Sequence, residues 1–227
     1  MSLQIKKYFK KYYSKNVVIL SLDDFYLSSH QRKLLAKRHN TNLFETRGVP
    51  GTHNLKLLFQ TIRKLKSNKF PLFLPVFDKV TDNKKKYQRK VNKADLIILE
   101  GWCVGSKPID PNYLKKNIND LEKIEDSNLL WRTAYNKALV EYQKVFKKFS
   151  YFIFIKIPNW KFVIDWKYKQ ELALRSSNSN NNLKKKLYRF IQFYEKLSKW
   201  MYLTSPSDCN VLITLDKKQT AKKITYK

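Results

Sequence analysis

The chain has 227 residues, 43% of them hydrophobic and 15% aromatic, which is enough for one domain with a packed core and too apolar for a disordered chain. Its formal net charge is +29, and no apolar run approaches the ~20 residues that a membrane-spanning helix needs. Only two cysteines occur, Cys103 and Cys209, far apart and in unlike contexts, which fits a reduced, cytoplasmic setting with both as small core residues.

The opening MSLQIKKYFKKYY lacks the continuous apolar stretch and small-residue cleavage site of a secretory signal. Residues 3–14 read as an amphipathic helix. VVILSLDDFY (17–26) follows, a buried strand over 17–22 that ends in the adjacent carboxylates Asp23 and Asp24. A polar helical segment is expected from Ser28 to about Arg38, then a loop holding Arg47, Gly48, Pro50 and Gly51. Leu55, Leu58, Ile62 and Leu65 recur at helical spacing. PLFLPVF (71–77) is short and broken by Pro75, which suits an edge strand or an irregular arm.

ADLIILEGW (94–102) is a second buried strand, ending in Glu100 and Gly101. Helical patterns fill about 110–149, and YFIFIKI (151–157) is a third strand. Helices are expected over about 159–176 and 184–203, separated by the polar loop SSNSNNN. NVLITLD (210–216) is a fourth strand, with room for a fifth in the tail. Nearly continuous apolar strands alternating with helices imply an α/β chain with a parallel sheet covered on both faces. Residues 1–227 are read as a single domain without internal repeats. In such sheets working groups collect at the carboxyl ends of the strands, where Asp23, Asp24 and Glu100 fall and are expected to share a crevice.

The charge has two readings. Of the 47 basic residues 39 are Lys, in a chain also rich in Asn, Ile, Tyr and Phe, so A- and T-rich coding that makes Lys the default surface cation is favoured over a dedicated polyanion patch. Lys84–Lys86 and Lys184–Lys186 then read as solvated faces, and nucleic-acid binding is the disfavoured alternative. Oligomeric state leaves no signal.

LSLDDFY, TRGVPGTHN, VFDK and LIILEGWCVG occur in that order. Together they resemble the D-glycerate 3-kinase group of P-loop kinases, relatives of uridine kinase, phosphoribulokinase and bacterial pantothenate kinase, over about Leu3 to the C-terminus. The resemblance implies a three-layer α/β fold with helices on both faces of a parallel sheet. It also implies ATP as phosphoryl donor, Mg²⁺ as cofactor, and transfer to the 3-hydroxyl of D-glycerate. Another small alcohol, such as uridine or pantothenate, is the alternative acceptor.

Carried over residue by residue, the resemblance makes Asp23 the group that accepts the substrate hydroxyl proton and reaches the Mg²⁺ shell, with a turn cap as the alternative. Asp24 and Tyr26 share its motif, Asp24 as a positioning or capping residue. Glu100 matches a second acidic strand tip that holds Mg²⁺ through water, or else caps a helix. Arg47, Gly48, Gly51, Thr52 and His53 match a substrate loop in which Arg47 can clamp a carboxylate bidentately; a plain surface turn is the other reading. Asn54 stands where the family has Asp. Asp78 and Lys79 match a Tyr-Asp-Lys segment, with Phe77 in place of Tyr, and line the substrate pocket or form an exposed ion pair. Arg175 aligns with a lid helix, within a lid-and-following-helix region of about 159–203, and would reach the nucleotide phosphates on closure or face solvent. Gln170 and Glu171 are weaker candidates. His30 and His39 read as surface residues, and no zinc cluster or Ser/His/Asp order stands out.

Kinases of this class cradle phosphates with Gly-x-x-x-x-Gly-Lys-[Ser/Thr]. The four glycines, at 48, 51, 101 and 105, begin no such motif. The resemblance puts that loop just before the helix matching 3–14, and its strand at the sheet centre between those matching 94–100 and 151–157. Since one lost transition-state donor can cost roughly 10²–10³ in rate, these residues alone are expected to be weakly active or inactive. A truncated reading is the simplest account, with a second chain supplying the loop, or a non-catalytic descendant, as the others.

Overall fold

The structure, a computed structural model, describes residues 1–175 and 181–227. In chain order its elements begin with α1 (Ser2–Tyr13), β1 (Val17–Ser21), α2 (Ser29–Arg38), α3 (Leu55–Lys66), β2 (Leu72–Leu74), β3 (Phe77–Asp78), β4 (Asn83–Lys84), β5 (Arg89–Val91) and β6 (Leu96–Glu100). Then follow α4 (Pro111–Lys115), α5 (Leu130–Phe146), β7 (Ile153–Lys156), α6 (Lys161–Arg175), α7 (Asn181–Asp208), β8 (Val211–Leu215) and β9 (Ala221–Tyr226). They group into two compact units, one of Met1–Val104 with Ala134–Phe146, the other of Gly105–Thr133 with Lys147–Lys227.

In the first unit β1 and β6 pair in parallel, from Val17 opposite Leu96 to Ser21 opposite Glu100. The apolar run of β1 buries Val17, Val18 and Leu20, and Leu22 and Phe25 continue this core just past its end. α3 adds Leu58, Ile62 and Leu65, one helical face, and each buried side chain of this kind contributes about 1.5–3 kcal/mol. Asn54 caps this helix by accepting the Leu57 N–H at 2.9 Å. Asn and Asp cap equally well, so the exchange of Asp for Asn leaves that role intact.

Three expectations need correction in this unit. β6 is half-exposed despite its Leu-Ile-Ile-Leu run, and among the described residues β1 is its one strand partner. α1 forms as expected but buries no residue; Tyr8, Tyr12 and Tyr13 are more than half exposed and contact one another through their rings. The segment after α3 is more than one edge arm: β2 pairs antiparallel with β5, and β3 with β4. Backbone pairing draws in polar segments, Asn83–Lys84 and Arg89–Val91, that carry no strand-like alternation.

In the second unit β7 and β8 pair in parallel and the tail strand β9 runs antiparallel to β8. The expected strands and parallel pairings are therefore present, in two hydrogen-bonded sets, and β7 has β8 as its one strand partner among the described residues. The helical stretch expected over 110–149 is interrupted by a π-helical turn, Leu121–Glu125. It breaks because Asp126 takes the Trp131 and Arg132 N–H groups at 2.8 and 3.1 Å, starting α5 anew. Of the SSNSNNN segment, Asn181 and Asn182 open α7, and 176–180 lie outside the described residues. Cys103 and Cys209 are buried thiols, and burial pushes Cys103 up to about 12. Among the described residues no helix is long and apolar enough to cross a membrane.

Candidate functional site

The parallel pair brings three acids to one end. Ser21 and Glu100 are register partners at the carboxyl ends of β1 and β6, and the chain leaves β1 through a 3₁₀ turn, Leu22–Phe25, that carries Asp23 and Asp24. Leu22 and Phe25 are buried, which anchors the turn and leaves the two acids on its other side.

Asp23 accepts hydrogen bonds on both oxygens, from Tyr26 Oη and from Lys79 Nζ, each at 2.6 Å. Burial works against its charge, but these two donors outweigh burial and hold the carboxyl below the usual carboxylate range. Asp24 behaves differently. It accepts the Phe77 N–H at 3.1 Å, tying the start of β3 to the turn, and burial raises its carboxyl. Asp78, at the end of β3, is turned onto the backbone of its own loop, where the Val80 N–H bond at 2.9 Å lowers it.

The loop from Thr46 to Asn54 docks onto the same turn through the backbone. The Leu27 N–H bonds Thr52 O at 2.8 Å and the Asn54 N–H bonds Phe25 O at 2.7 Å. Thr52 is fully buried; its hydroxyl donates to Val49 O at 2.7 Å and accepts the Gly48 N–H at 3.0 Å, so it shapes the loop from inside. Gly51 adopts φ +96°, where a side chain would be strained, although a methyl there would have room. Its N–H donates to Tyr142 Oη at 3.0 Å, and the same oxygen lies 2.6 Å from His53 Nδ1. Burial drives the imidazole down to about 3, keeping it neutral. Its ring stacks on Tyr26 at 4.7 Å, and Tyr26 meets Phe77 edge-on at 5.1 Å.

Arg47, from this loop, is joined by a residue that the sequence did not single out. Arg32 on α2 is 1% exposed and donates to Glu45 O at 2.9 Å and Leu27 O at 2.7 Å. Its remaining Nη2 and the Arg47 Nη1 both bind Asp82, Arg32 on Oδ2 and Arg47 on Oδ1, the latter at 2.5 Å. The sequence carried no signal for Arg32. Arg32 and Ala36, four residues apart, are the buried face of α2, a helix whose sequence offers no apolar stripe to bury instead. Tyr142 is likewise absent from the sequence candidates, and its hydroxyl's partners, Gly51 N–H and His53 Nδ1, reveal its role.

Thus Asp23, Tyr26, Lys79, His53, Gly51 and Thr52 belong to one connected cluster, with Asp24 and Arg47 attached through Phe77. Arg175 closes α6, and its side chain lies outside the described residues. Gln170 and Glu171 pair with Lys167 along the same helix, at 3.1 Å each. No group of three His, Cys, Asp or Glu able to cage a metal occurs among the described residues. Glu100 at the end of β6 and Asp23 in the turn after β1 are oxygen donors of the kind Mg²⁺ takes, since it keeps several waters and needs only one or two carboxylates.

No family model matches the chain. It is 28% identical over 193 residues to the uncharacterized kinase mug58 of Schizosaccharomyces pombe, covering 80% of this chain and 68% of that one. With the chloroplastic D-glycerate 3-kinase of Arabidopsis thaliana it shares 27% over 221 residues, 88% of this chain and 45% of the relative. With the probable ATP-dependent kinase TDA10 of Saccharomyces cerevisiae it shares 28% over 213 residues, 85% and 69% of the two chains. Its relatives are D-glycerate 3-kinase and related ATP-dependent kinases. The chain spans less than half of the chloroplastic relative and just over two thirds of the two yeast ones. The solved D-glycerate 3-kinase from Cryptococcus neoformans superposes with a TM-score of 0.78 at 22% identity, covering 98% of this chain and 84% of that one. The fold is therefore the α/β fold of that structure, with parallel strands and helices.

Proposed function

We propose that this protein belongs to the machinery of ATP-dependent phosphoryl transfer to a small hydroxylated substrate, D-glycerate, giving 3-phospho-D-glycerate. One observation carries the reading: an ionised Asp23, gripped by Lys79 and Tyr26, shares a cluster with a loop that presents Arg47 and a neutral His53. The relatives, kinases by name, support the phosphoryl-transfer class and ATP as donor.

Phosphoryl transfer passes through a loose transition state, so the protein acts mainly by positioning and by balancing charge. In this reading Asp23 accepts the proton of the attacking hydroxyl. Each of its oxygens already takes one hydrogen bond and has a lone pair left for another. Lys79 and Tyr26 keep the carboxylate ionised and aimed. Arg47 grips the substrate carboxylate, and Asp24 holds Phe77 behind it. Glu100 and Asp23 would hold Mg²⁺, which offsets charge on the nucleotide phosphates. Arg175 is assigned to those phosphates.

The test is ADP release with MgATP and D-glycerate, uridine or pantothenate. It is run on the chain itself and on the chain preceded by a strand and a Gly-x-x-x-x-Gly-Lys-[Ser/Thr] loop. D-glycerate turnover is expected with that loop present, falling by about 10²–10⁴ in Asp23→Asn while thermal unfolding stays unchanged. Turnover of uridine or pantothenate in its place would refute the substrate, and turnover of none would refute the kinase reading.

A further inference from the structure

Two arginines converge on one carboxylate beside the candidate site, and that carboxylate comes from the protein itself. We propose that Arg32 and Arg47 form a carboxylate-binding subsite and that Asp82 is its displaceable occupant. The proposal rests on the kinase reading above only in naming D-glycerate as the incoming ligand.

The receptor is built. Arg32 is buried, and two backbone carbonyls fix its guanidinium so that Nη2 is left for an anion. Arg47 approaches the other oxygen, with its guanidinium 5.9 Å from the Phe77 ring centroid. Two planar cations on one carboxylate make an arrangement matched to carboxylate geometry, and a buried arginine without an anion would be costly. The site therefore always needs an occupant.

The occupant comes from a short, exposed turn. Asp82 sits in the turn joining β3 to β4, with its side chain 35% exposed and its backbone at φ +53°. Val80 in the same turn is 94% exposed, and Thr81 and Asn83 are exposed too. Swinging this turn outward would expose almost no new apolar surface. An incoming carboxylate would restore both ion pairs, so the exchange keeps the charge balance of the subsite.

A chain of contacts joins the subsite to the base. Arg47 contacts Phe77, Phe77 meets Tyr26 edge-on at 5.1 Å, and Tyr26 donates to Asp23 at 2.6 Å. Lys79 belongs to the same turn as Asp82, so the exchange would also be felt by the ion pair on Asp23.

The experiment is calorimetric titration of the chain with D-glycerate, acetate and glycerol, in wild type, Asp82→Ala and Asp82→Asn. Removing the internal competitor should tighten D-glycerate binding by roughly tenfold or more and leave glycerol unchanged, and adding Arg47→Gln should abolish the gain. If acetate gains and D-glycerate does not, the arginine subsite stands and the glycerate assignment falls. Unchanged or weaker carboxylate binding in Asp82→Asn, with wild-type thermal unfolding, would overturn the proposal.

Discussion

Each unit of the molecule holds a cluster of ion pairs, and the two clusters are built on opposite terms. In the second unit Arg132 and Lys196 meet Glu122 and Asp126 with every side chain at most 2% exposed. Arg132 also donates to the carbonyls of Leu114, Glu122 and Asp126, and Lys196 to that of Lys116 at 2.5 Å. Glu122 Oε1 is buried without a hydrogen-bond partner among the described residues. Burial raises Glu122 and lowers Lys196, both toward neutrality, so desolvation outweighs their mutual attraction. In the first unit the Asp82 and Asp23 pairs keep 35% and 33% of the acid side chain in contact with solvent. Charge sealed in the interior joins backbone segments; charge left at the rim can change partners. Only the second kind suits a site that must take up and release a ligand.

Substitution should separate the two clusters. The largest effect is expected for Arg132→Met, which strands Asp126 and Glu122 and should cost about 3–5 kcal/mol in urea unfolding. Arg47→Met, at the half-open cluster, should stay within about 1 kcal/mol. Equal costs would erase the contrast.

An effect smaller than that of Arg132 comes from His53, an imidazole buried in the candidate site. The unfolded chain takes up its proton below about pH 6.5, the folded chain only near 3. Stability should therefore fall by a few kcal/mol as pH drops through that window, and His53→Gln should flatten this part of the urea-midpoint profile.

The smallest effect belongs to Lys79→Met. Asp23 lies below its unfolded value, so its charge favours the folded state above the ordinary carboxylate range and ceases to as pH falls through the lowered value. Without Lys79, fewer groups oppose burial and the carboxyl should titrate at higher pH. A side-chain ¹³C titration of Asp23 checks this, and an unmoved titration would show that Lys79 contributes nothing.

Much of this arrangement was legible beforehand. Val17–Leu20 and Leu96–Leu99 are apolar runs of strand length, and the acids after them mark where each strand surfaces. Glycines at 48 and 51 announced a tight loop. Arg32 was not legible, because a single arginine in a polar helix looks solvated until its partner, 50 residues away, is placed. Tyr142 stands 89 residues from His53, and Asp82 35 residues from Arg47. Nor did the Lys-rich stretch before β6 show its strands, since backbone bonds with β2 and β3 form them, not side-chain alternation.

What the sequence determined by itself is local: apolar periodicity and turn chemistry act between near neighbours and set the strands, the caps and the carboxylates at their ends. What the tertiary structure alone decided is which charge meets which, because an ion pair depends on distance in space. That is how Asp82, silent in the chain, comes to sit on two arginines, and how His53 comes to meet the Tyr142 hydroxyl.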